Sequence, residues 1–118
     1  MALSKFHIDT LTAIINCFGQ YHFLLDQIPF LSIIATEHTG VGCFYNYELS
    51  TDFEHKINEN VERVLSAPIH IESAEIQEGI GGIILYTNKG KIETLEIFTY
   101  TSSLPTKELG NYSYRAIP

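Results

Sequence analysis

The sequence predicts an α+β domain: an N-terminal helix packed on a mainly antiparallel, twisted sheet of about five strands. Three observations point there. Residues 9–26 carry an apolar stripe at helical spacing. Runs rich in β-branched and aromatic residues fill much of the rest of the chain. Glycine-bearing turns join those runs as hairpins. A helix followed by consecutive strands buries its stripe across one face of the sheet.

In the first segment the stripe is Leu11, Ile14, Ile15, Phe18, His22 and Leu25. Asp9 is placed to cap its start, because a carboxylate accepts from a free backbone N–H. Gly19 favours a bend or an early stop, and Pro29 closes the segment. Residues 30–36 and 42–49 read as a hairpin turning at Gly40. Residues 50–66 place Phe53, Ile57, Val61 and Val64 at helical spacing, which predicts a short helix; an irregular connection is the competing reading. Pro68 then opens a strand over 69–77, where apolar and polar residues alternate. Residues 82–87 and 91–100 form a second hairpin around the three-residue loop Asn88-Lys89-Gly90. In the tail, Tyr112 and Tyr114 alternate as a short edge strand.

The chain has 118 residues, enough for a single domain over 1–118, and 45% of them are hydrophobic. It carries 14 acidic against 7 basic side chains, a formal net charge of −7. That surface repels phosphate backbones and anionic lipid, which argues against direct nucleic-acid or membrane binding. It attracts a basic protein. Acidity for solubility alone is the plainer alternative. The N-terminal residues lack the charged and apolar regions of a signal peptide, so a reducing cytoplasm is the expected location.

Catalytic and metal-binding patterns are missing from the sequence. Cys17 falls within the predicted helix and Cys43 within a strand, both read as buried packing residues. The five histidines are dispersed and form no metal-ligand spacing, so neither metal nor cofactor is expected. The glycines at 79, 81 and 82 precede a strand rather than a helix and read as a turn or bulge, not a phosphate cradle. Glu93 and Glu96 alternate to opposite strand faces and so make no acid–base pair. Glu96 shares its face with Ile92, Phe98 and Tyr100 and needs a hydrogen-bond partner there. A structural role is favoured over a pocket built around it.

Two surface readings remain open. Glu72, Glu75 and Glu78 form an acidic run with no nearby Lys or Arg in sequence; it is either a solvated edge or a docking face for a basic partner. Tyr45 and Tyr47 share one strand face, and serve either an interface or the core. Uncovered sheet edges also allow a homodimer.

Three stretches resemble a known group. Glu37-His38-Thr39-Gly40-Val41-Gly42-Cys43-Phe44-Tyr45 resembles an E-x-T-G-V-G-F-F signature. Gly81-Gly82-Ile83-Ile84-Leu85-Tyr86 with Asn88-Lys89-Gly90 resembles a G-A-G-x-x-L-F strand and its turn, and Leu95-Glu96-Ile97-Phe98-Thr99-Tyr100 resembles L-E-x-Y-S-Y. These are similar to small bacterial immunity-type proteins of polymorphic toxin and contact-dependent growth inhibition systems. Cys43 departs from the pattern, as does Thr101-Ser102-Ser103-Leu104-Pro105, which lacks the acid and tryptophan of D-E-P-W-P. The resemblance implies a cytoplasmic, non-enzymatic protein that neutralises a cognate toxin C-terminal domain, basic and commonly a nuclease. Glu72, Glu75, Glu78 and Glu93 are the expected contacts. A small ligand-binding protein or enzyme with a pocket around Glu96 is the alternative.

Overall fold

The computed structural model describes residues 3–117. It contains one α-helix, one 3-10 segment and one six-stranded sheet. Helix α1 spans Lys5–Asn16 and buries Phe6, His7, Thr10, Leu11, Ile14 and Ile15. It begins a turn before the expected cap, because the buried stripe starts at Phe6 rather than Leu11. Asp9 therefore lies inside the helix. Its carboxylate accepts from Lys5 Nζ at 2.5 Å and from the Tyr112 hydroxyl at 2.7 Å. Asn16 is the last helical residue, and the backbone tightens there: Cys17 and Phe18 donate to the Ile14 and Ile15 carbonyls, three residues back.

Beyond Gly19 the chain runs as a 3-10 segment, Gly19–Phe30, with a kink at Tyr21. The sequence stripe spans both pieces. Leu24 is fully buried, but His22 is exposed, since a 3-10 turn has three residues and rotates the stripe. Pro29 sits one residue before the end of this segment.

The strands are β1 (Leu31–His38), β2 (Gly42–Leu49), β3 (Val64–Glu72), β4 (Ile80–Asn88), β5 (Lys91–Phe98) and β6 (Ser113–Ala116). Their order is β1-β2-β5-β4-β3-β6, and every pairing is antiparallel. The architecture is thus α+β, with one strand more than the sequence reading counted. β6 is the edge strand anticipated around Tyr114. Pro68 lies within β3, not before it, and the register shifts between Ser66 and His70, where a ladder donor is missing.

Residues 50–63 form an irregular connection, which corrects the expected short helix. Ser50 closes a turn at its start: its carbonyl accepts from Phe53 N–H and its hydroxyl from Asp52 N–H. The helically spaced apolar residues do not share one face. Phe53 packs on Phe30 at 5.5 Å between ring centroids, Ile57 approaches Gly90, and Val64 begins β3.

Asn88 pairs with Lys91, so the β4–β5 loop is the two residues Lys89 and Gly90, not three. Both have positive φ, 52° and 81°, the conformation that follows the twist of a hairpin. Three elements meet at this turn. Gln27 of the 3-10 segment is buried; its Nε2 donates to the Gly90 carbonyl at 2.8 Å and its Oε1 accepts from Ile92 N–H at 2.9 Å. On the other side, a Cβ at Gly90 would lie 2.1 Å from the Asn58 carbonyl oxygen.

The core lies between helix and sheet. The inner sheet face presents Cys43, Tyr45, Tyr47, Leu65, Ile71, Ile83, Leu85, Ile92, Leu95 and Ile97, all buried. Tyr45 and Tyr47 therefore serve the core rather than an exposed surface. Both thiols are pushed up by burial, consistent with packing roles for Cys17 and Cys43. The molecule measures 41 × 32 × 20 Å, and the short axis is one helix layer on one sheet.

Candidate functional site

Among the described residues, no helix lies on the opposite sheet face. Pleat and register fix which residues stand there. One row runs Glu37, Phe44, Glu96, Ile84, Ser66, and the next runs Ala35, Asn46, Thr94, Tyr86, Val64. A third brings Gly42, Phe98, Gly82, His70 and Arg115 into line. Phe98 lies flat over Gly82, where a Cβ would come within 2.1 Å of its ring. Gly82 is thus the bed of an aromatic side chain, whereas Gly42 makes room for the Ile97 carbonyl of the neighbouring strand. Tyr100 meets the Phe98 ring edge-on at 5.6 Å, and its hydroxyl lies 3.0 Å from His70 Nδ1.

Acids outnumber bases on this face. Glu37 and Glu48 are exposed, and Glu72, Glu93 and Glu96 are half-buried. Arg115 lies 3.5 Å from Glu72 and offsets part of that charge. The Glu96 carboxylate accepts the Tyr86 hydroxyl at 2.7 Å, which meets its need for a partner and pushes the phenol up to about 12. Ile92 does not share its face. The register shifts between Tyr86 and Thr87, opposite Thr94 and Ile92, so Glu93 is the extra residue of a bulge. Ile92 turns into the core while Glu93 joins a groove on the open side, along with Thr94. Glu93 and Glu96 therefore do not separate cleanly by alternation. Glu96 itself is not among the residues lining that groove.

The acidic run is divided in its roles. The Glu75 carboxylate accepts from the backbone N–H groups of Gly110 and Asn111 at 2.9 and 2.8 Å. The Glu78 carboxylate accepts from the backbone N–H groups of Tyr100, Thr101 and Ser102 and from the Thr101 and Ser102 hydroxyls. These bonds, the Ser102 hydroxyl first among them, hold Glu78 at about 2, well below the usual carboxylate range. Both residues tie the β3–β4 loop to distant segments. Glu72 remains on the open face. Glu93 lies by the β4–β5 turn, at the opposite end of these strands from the run. The four expected contacts therefore do not form one patch. The partners of Glu75 and Glu78 come from far along the chain and leave no local signal. Glu37 was missed as a site residue, though the alternation of Phe44, Asn46 and Glu48 against Cys43, Tyr45 and Tyr47 marks a second face.

The Glu78 geometry has a pH signature. Its folded value is lowered, so its contribution is fully present above the unfolded value of 4.5 and is lost as pH falls from there through about 2. Glu78→Gln should remove about one proton from the acid-unfolding uptake over that window. Urea midpoints measured from neutral pH into that window would show it, the variant being less stable at neutrality and flatter in acid.

A fully buried polar group lies on the inner face of α1. His7 is fully buried, with Nδ1 2.7 Å from the Tyr47 hydroxyl and Nε2 3.2 Å from Glu108 Oε2. Burial lowers its pKa against the pull of Glu108, so the ring is neutral. An ionised carboxylate only accepts, so Nε2 carries the hydrogen and Nδ1 accepts from Tyr47. Burial also raises Cys43 and Tyr45 beside this network. Its role is to fasten helix, sheet and tail.

Among the described residues, no group of three or more His, Cys, Asp and Glu side chains could hold a metal ion. No described helix is long and apolar enough to cross a membrane. Comparison with protein-family models, with curated proteins and with solved structures returns no match.

Proposed function

We propose that this protein is an immunity-type binder that neutralises a cognate bacterial toxin domain by covering its active site or substrate surface. The observation that carries the reading is the open sheet face. A sheet with one face packed and the other bearing Phe44, Tyr86, Phe98 and Tyr100 among five glutamates is built for a protein contact. Aromatic rings supply desolvated area, and the acids select a basic partner. A nuclease domain presents such a surface because it must bind phosphate. The net charge of −7 steers the encounter. The motif resemblance in β1–β2 and β4–β5 covers strands that contribute most of this face.

The test is genetic and then kinetic. The C-terminal domain encoded immediately upstream of this chain should arrest growth when expressed alone, and co-expression of this protein should relieve the arrest. A harmless upstream domain, or arrest unrelieved by this protein, would overturn the reading. Glu72→Lys combined with Glu93→Lys should slow association by about tenfold at low salt and by less at high salt. Stopped-flow mixing measures this, and a rate insensitive to both changes would remove these two residues from the contact.

A further inference from the structure

The open face is not level. In the row Ala35, Asn46, Thr94, Tyr86, Val64, the residues on β1, β2 and β5 are short, and Thr94 Oγ1 donates to Asn46 Oδ1 at 2.7 Å. The floor there is low. Phe44 rises on one side, Tyr86 on the other, and the β5 bulge sets Glu93 beside them. The result is a groove of about 480 Å³ crossing from Glu37 on β1 to Arg63 beside β3.

Its charged groups are uncommitted. Among the described residues the ion pairs are Lys5–Asp9, His7–Glu108 and Arg115–Glu72, so Glu37, Glu93 and Arg63 are in none. The Asn46 carbonyl is used by Thr94, and its NH₂ remains a donor in the groove lining. Two free carboxylates flank aromatic walls, and the one cation stands at the far end. The carboxylates lie on strands two places apart and about three residues apart along the strand direction, since Glu37 is in register with Glu96, so about 13 Å separates them.

We propose that this groove takes an extended basic segment of the partner protein, with two arginine or lysine side chains over Glu37 and Glu93 and an apolar side chain between Phe44 and Tyr86. This rests on the binding role proposed above and names what that role reads. Arginine suits the site best. Its planar guanidinium bonds a carboxylate through two N–H groups and stacks on aromatic rings. The Asn46 amide donates to a backbone carbonyl of the segment, and Arg63 sets its direction by rejecting a third cation.

The probe is a capped peptide, acetyl-Arg-Gly-Leu-Gly-Arg-amide. Its arginines stand on one face about 13 Å apart when extended. Backbone amide shifts should move at Asn46, Tyr86 and Thr94, and the matching acetyl-Glu-Gly-Leu-Gly-Glu-amide should leave them still. Glu37→Gln with Glu93→Gln should weaken the arginine peptide by about tenfold or more, with the melting temperature of the protein preserved. Unmoved groove amides, equal response to the glutamate peptide, or unchanged affinity in the double variant would each overturn the proposal. None of these readouts uses the toxin domain. A protein that relieves growth arrest yet ignores the peptide keeps the binding role and loses the groove, and the reverse result keeps the groove alone.

Discussion

Gly90→Ala should destabilise the fold by about 3 kcal/mol. Two costs combine. The residue sits at φ +81°, where a side chain strains the backbone by about 1–2 kcal/mol. The new Cβ also meets the Asn58 carbonyl oxygen at 2.1 Å and its carbon at 2.8 Å. Those are backbone atoms and cannot swing aside. Moving the turn to relieve them disturbs the two Gln27 bonds beneath it. Gly79→Ala is the matched control: its φ is +83°, but nothing lies within 4 Å of its added carbon. It should lose only the strain, about 1 kcal/mol. Urea titration of both variants measures the difference, with the midpoint shifting and the slope held. Equal losses would mean that the 50–63 connection yields freely and does not clamp the hairpin.

His7→Ala should cost about 3–5 kcal/mol. The ring packs edge-on against Tyr45 at 4.5 Å and against Phe6 at 5.4 Å, so its removal leaves a cavity in the helix–sheet seam. It also leaves the Tyr47 hydroxyl buried without its nitrogen partner, and frees Glu108 in the tail. The native ring has a second consequence. Its folded pKa is lowered from 6.5, so the unfolded chain takes up the proton first and stability is lost as pH falls below about 6.5. The variant should be flat where the native protein begins to slope. This window opens at a higher pH than that of Glu78, so the His7 slope begins first in an acid titration. A native protein with unchanged stability between pH 7 and 5 would show that the ring is not held neutral.

The fold was legible where local chemistry decides it. β2 has the bounds its aromatic alternation implies, and Gly90 marks its hairpin although the loop is one residue shorter. Legibility failed where distant contacts override local pattern. Phe53, Ile57 and Val61 keep helical spacing, yet residues 50–63 must pass the end of the sheet on the way from β2 to β3, and each side chain packs where that path takes it. The acidic run shows the same limit. Nothing in Glu75 or Glu78 announces that the N–H groups of 100–102 and 110–111 will be there to bind them. Glu93 changed setting through a single extra residue, since a bulge moves every later side chain by one place on the pleat.

The strand order has a consequence for the order of events during synthesis. β1 and β2 are neighbours in sequence and can pair as soon as they leave the ribosome. The second edge of β2 then waits for β5, which is made only after the 50–63 connection, β3 and β4 have emerged. For that interval the nascent hairpin, with α1 already made and able to cover Tyr45 and Tyr47, carries a row of unpaired backbone groups along its second edge. A slow elongation step between β2 and β5 lengthens the exposure, and a chain truncated before Lys91 never ends it.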